Sequence, residues 1–109
     1  MSILGKMLLI CIMVPLIETL VFQTIVINVV VKYIKSRWFA VLLSAIFFGL
    51  AHSYSPAYMA KAFITGLLYG LLYIVFKKHY ASFHLVAIHS LYNFMGLVIY
   101  EIIPLLKIA

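Results

Sequence analysis

The stretch that decides the fold is LGKMLLICIMVPLIETLVFQTIVINVVV, Leu4 to Val31, in which Lys6 and Glu18 are the only charged residues. It is longer than the roughly 20 apolar residues that one bilayer crossing needs. Pro15, near its middle, predicts a kink. One lysine followed by apolar residues superficially suggests a secretory signal. The apolar pattern, however, continues to Val31 without a small-residue cleavage site, which predicts a retained span.

Working outward, Lys32, Lys35 and Arg37 mark a first polar turn, followed by Trp38 at the place of an interfacial aromatic anchor. A second helix is expected from there through Ala51. Ser53, Tyr54, Ser55 and Pro56 interrupt it, and Pro56 can open a third helix over about Ala57 to Phe76. After a polar turn of Lys77, Lys78 and His79, a fourth helix is expected from about Ser82 to Ile103, stopping near Pro104. Gly66 and Gly70 make a G-x-x-x-G pattern in the third helix, which predicts close helix packing.

Of the 109 residues 68% are hydrophobic and 9% charged, and no water-soluble fold of that size hides so much apolar surface. The mean hydropathy is +1.26. The fold class is therefore all-α: a polytopic transmembrane bundle of about four helices, forming a single domain over residues 1–109. The net charge of +6 comes from small basic groups between apolar runs. This is a topology signal and excludes a nucleic-acid footprint. Lys32, Lys35, Arg37, Lys77 and Lys78 lie in the first and third turns, which places those turns in the cytoplasm and both termini outside. Cys11 is the single cysteine, so no intrachain disulfide forms.

Ionisable side chains within a span are costly and mark functional sites by default. Glu18, His52 and His89 are such residues, with Asn93 beside them. Counted from the first polar turn, Glu18 lies about 21 Å and His52 about 22 Å deep. From Tyr80, His89 lies at about 13 Å and Asn93 at about 20 Å, so four polar groups from three helices can converge on one layer. Phe48 with His52, and His89 with Asn93, are each four positions apart and share a helix face.

The runs Glu18-Thr19-Leu20-Val21-Phe22-Gln23, Phe48-Gly49-Leu50-Ala51-His52 and His89-Ser90-Leu91-Tyr92-Asn93 resemble, in order, the three motifs of the CPBP family: E-E-x-x-x-R, F-x-x-x-H and H-x-x-x-N. That family includes the type II CAAX prenyl proteases and the bacteriocin-immunity (Abi) proteins. The resemblance covers about residues 15 to 95. The family's second glutamate is Thr19 here and its arginine is Gln23, so a neutral hydrogen-bonding pair is expected where relatives carry an ion pair.

The resemblance implies an intramembrane endopeptidase of the plasma membrane of a bacterium, acting on membrane-associated or prenylated substrates. In it Glu18 and His52 deprotonate a water, His89 and Asn93 donate to the tetrahedral oxygen, and Thr19, Gln23 and Phe48 support them. No cofactor is expected. A zinc site of Glu18, His52 and His89 is the alternative, since two histidines and a glutamate can leave a fourth position for water. Family members usually have additional helices, so further helices or a second copy of the chain would complete the cavity. Two other readings stay open: a non-catalytic adaptor or self-immunity protein on the same fold, and bis-histidine haem binding by His52 and His89. His79 and His84 are read as interfacial residues. Glu101 is read as structural, in reach of Lys107, and Tyr69 and Tyr73 as packing residues that can line a groove.

Overall fold

The computed structural model describes residues 2–76 and 80–108. The expected third polar turn of Lys77, Lys78 and His79 lies outside the described residues, as does the Lys107 side chain. Among the described residues the chain is helical without strands. Four helices follow one another: α1, Ile3–Ile34; α2, Arg37–Leu50; α3, Pro56–Val75; and α4, Ala81–Leu106. Three of them, α1, α3 and α4, are long and apolar enough to cross a membrane. The exposed Leu4, Ile17, Ile64, Leu68, Phe83 and Leu106 are the surface a lipid environment covers. The protein is an integral membrane protein.

The starts and stops have local causes. Lys35 takes a left-handed conformation, φ 62°, and closes α1 with its N–H on the Val31 carbonyl. Ser36 then caps α2 by accepting from the Phe39 N–H, and Ser55 caps α3 by accepting from the Tyr58 N–H, with Pro56 in the first helical turn. Neither Pro15 nor Pro104 ends a helix. Each follows a widened stretch with i to i−5 hydrogen bonds, Leu9–Met13 and Val98–Ile102. The Val14 N–H reaches the Leu9 carbonyl, and the Ile103 N–H the Val98 carbonyl. The expected stop at Pro104 is thus overturned, because that register accommodates a residue without an N–H.

α2 and α3 form the tightest seam. A Cβ on Gly66 would meet the Ala45 Cα at 3.0 Å, and one on Gly70 the Val41 Cγ1 at 2.9 Å, so the G-x-x-x-G pattern does set a close approach. Polar side chains tie the other helices together. Tyr73 donates to Asn28 at 3.1 Å, Ser44 donates to the Phe22 carbonyl at 2.5 Å, and the Thr24 and Ser82 hydroxyls meet at 2.6 Å. α2 has 14 residues, about 21 Å, against about 48 Å for the 32 residues of α1. The turn after α2 therefore lies level with the middle of α1. Beyond it α1 and α4 continue as a pair, joined by a Lys6–Glu101 salt bridge of 2.9 Å.

Candidate active site

At the level of the α2–α3 turn a cavity of ≈ 670 Å³ opens between α1, α3 and α4. Glu18, His52, His89 and Asn93 all line it, with Phe48, Tyr69 and Tyr92 among the aromatic residues around them. The four residues that the sequence places in one layer are thus brought to one cavity.

Glu18 comes from the middle of α1, just before the second widened stretch, Thr19–Ile25. His52 follows the last turn of α2, with its N–H on the Gly49 carbonyl. Its Nδ1 lies 2.6 Å from the Phe48 carbonyl oxygen, which can only accept, so Nδ1 carries a proton. Its Nε2 lies 2.9 Å from Glu18 Oε2. One further proton lies on that contact, on nitrogen or on oxygen, because two lone pairs do not approach so closely. The pair therefore holds one shared proton and leaves Glu18 Oε1 to face the cavity chemistry.

His89 is almost fully buried, and its Nε2 stands 3.5 Å from Glu18 Oε1. Its Nδ1 is 3.4 Å from the Thr19 hydroxyl. If Thr19 donates to Nδ1, the His89 proton sits on Nε2 and faces the carboxylate. Phe48 is the hub of the aromatic packing. Its ring is 4.5 Å from that of His52 and edge-on to Phe22, Tyr69 and His89 at 5.7, 6.1 and 6.2 Å.

Asn93 donates from Nδ2 to the Ile10 carbonyl of α1 at 2.9 Å, keeping its second N–H and its Oδ1. Thr19 and Gln23 do not form the expected neutral pair. Thr19 turns to His89, and both polar atoms of the fully buried Gln23 side chain lack a partner among the described residues. The Tyr69 hydroxyl is a third buried group without one. Tyr73 is a packing residue with its hydroxyl on Asn28. Tyr69, by contrast, lies against His89 with ring centroids 4.7 Å apart and lines the cavity, so of the two tyrosines read as able to line a groove it is Tyr69 that does.

Tyr54, Tyr58 and Lys61 also line the cavity, whereas His84 is not among its lining residues. His84 stacks on Phe76 and its Nδ1 donates to the Tyr80 carbonyl, well away from Glu18. Glu101 pairs with Lys6 at the cavity's open end. Among the described residues no group of three or more His, Cys, Asp or Glu side chains is arranged to hold a metal ion. Glu18 and His52 close on each other through the atoms that would ligate one.

A shared-proton carboxylate and imidazole, a second imidazole and an amide donor in a cavity within an apolar bundle are the parts needed to activate water and to stabilise an oxyanion. No curated protein and no solved structure matches the chain significantly. The family model of the Rce1-like type II CAAX prenyl endopeptidases matches residues 1–95, a span that contains Glu18, His52, His89 and Asn93. This chain belongs to the Rce1-like type II CAAX prenyl endopeptidase family, a family of intramembrane proteases.

Proposed function

We propose that the protein hydrolyses a peptide bond of a prenylated or otherwise membrane-associated substrate with a water activated by Glu18 and His52. The observation that carries this is the 2.9 Å contact between His52 Nε2 and Glu18 Oε2, with His52 Nδ1 fixed on the Phe48 carbonyl. The imidazole orients the carboxylate, and Glu18 Oε1 takes the proton of the attacking water. The water oxygen bonds to the scissile carbonyl carbon and the charge moves to the carbonyl oxygen. There the free N–H of Asn93 and Nε2–H of His89 donate to it. Collapse breaks the C–N bond, and the proton held by Glu18 passes to the leaving amine. No acyl-enzyme forms.

The mechanism uses no metal. Chelator treatment of the purified protein is expected to leave turnover unchanged, whereas loss of activity restored by zinc would replace it with a Glu18, His52, His89 zinc site. The decisive test is cleavage of a farnesylated peptide by the protein in detergent, with Glu18→Gln as control. Turnover by the wild type alone supports the proposal. No turnover by either favours an adaptor or immunity role, the reading supported by neutral Thr19 and Gln23 where the family carries charges.

A further inference from the structure

The Ile10 carbonyl is free for Asn93 for a reason that lies in α1 itself. In a regular α-helix that carbonyl accepts from the N–H of Val14. Here the widened turn sends the Val14 N–H to the Leu9 carbonyl. In the widened register the next donor to Ile10 would be residue 15, and residue 15 is proline, which has no N–H. A carbonyl left open in an apolar bundle needs a partner, and Asn93 supplies one from α4 at 2.9 Å. Pro15 is itself buried, and both Ile10 and Asn93 line the cavity.

We infer that Pro15 is a positioning residue: by keeping the Ile10 carbonyl open, it fixes the Asn93 amide plane so that the second N–H is held toward the reaction centre. This rests on the peptidase reading for its catalytic consequence, but not for the lock itself. An amide is planar, so a bond to one of its hydrogens sets the direction of the other. A donor at residue 15 would compete with Asn93 for that carbonyl and let the amide turn.

The test is Pro15→Ala, a substitution that returns an N–H and favours the helix. In the full chain in detergent, kcat for a farnesylated peptide is expected to fall by roughly 10- to 100-fold with KM unchanged. Thermal stability is expected to hold or rise. In an Asn93→Ala background Pro15→Ala is expected to change kcat no further. A second readout needs no activity. The chain has two asparagines, Asn28 and Asn93, so protein labelled with ¹⁵N-asparagine shows two side-chain amide groups. The Asn93 pair is expected to shift in Pro15→Ala, and the Asn28 pair to stay.

An unshifted Asn93 resonance overturns the inference, whether or not kcat falls. A shift with wild-type kcat overturns the catalytic consequence. A shift in a protein whose wild type cleaves nothing establishes the lock and sinks the peptidase reading instead.

Discussion

His52 reaches Glu18 with one ring nitrogen, Nε2 at 2.9 Å, while its other nitrogen is held by the carbonyl of Phe48 one turn earlier. The imidazole therefore cannot turn away from the carboxylate without losing that half-buried hydrogen bond. Replacing Glu18 by Gln keeps the shape and removes the base proposed for the reaction. Turnover is expected to fall by about 10²- to 10⁴-fold with thermal stability little changed, measured on a farnesylated peptide alongside an unfolding curve. Equal turnover by Glu18→Gln and wild type would remove Glu18 from the mechanism.

Gln23 buries an amide with no partner among the described residues. An unsatisfied buried polar group costs about 1–3 kcal/mol, so Gln23→Leu, of similar volume, is expected to raise stability by about 1 kcal/mol or more. Gln23→Arg is expected to lower it, because the charge would have Thr19 rather than a carboxylate four residues back. Unfolding in detergent checks both directions, and a destabilised Gln23→Leu would mean that the amide is satisfied.

Tyr69 and Tyr73 lie one turn apart on α3 and differ in one respect: the Tyr73 hydroxyl donates to Asn28, whereas the Tyr69 hydroxyl is buried without a partner. Tyr73→Phe is expected to cost about 0.5–1.5 kcal/mol, and Tyr69→Phe to be neutral or stabilising. The same unfolding assay compares the two. The reverse order would contradict the hydrogen-bond assignment.

The seam between α2 and α3 makes a matching pair of glycine tests. Gly70→Ala sets a methyl 2.9 Å from Val41 Cγ1 and is expected to destabilise by about 1–3 kcal/mol. Gly96→Ala meets nothing within 4 Å and is expected to stabilise α4 by up to about 1 kcal/mol. Denaturation by a mixed-micelle titration reads both.

Much of this arrangement is legible in the residues, and the rest has identifiable physical reasons. Glu18 and His52 fall to the same depth by counting because the turn between α1 and α2 is only Lys35 and Ser36, so both counts share an origin. His89 meets Glu18 although its count falls short. The Thr24–Ser82 contact shows why: α4 begins level with Thr24, about 15 Å inside the end of α1. Thr19 and Gln23 are four apart and both fully buried, yet they do not pair, because the Thr19 hydroxyl turns to His89 on another helix, a competitor that spacing within α1 does not reveal. Asn93 is read from the sequence as a donor in the site, and Ser44 is not singled out there. That their partners are the main-chain carbonyls of Phe22 and Ile10 follows from hydrogen-bond registers that no residue pattern announces.

The shortness of α2 reaches beyond the protein. A helix of about 21 Å is some 9 Å short of a hydrocarbon layer of roughly 30 Å, and the turn that follows it carries Ser53 and Ser55. Lipid beside that turn has to thin or leave, since a polar turn is not stable in contact with acyl chains. The bilayer beside α2 is therefore set by the protein rather than the reverse: where this turn faces lipid, the polar boundary is drawn inward toward the level of Glu18.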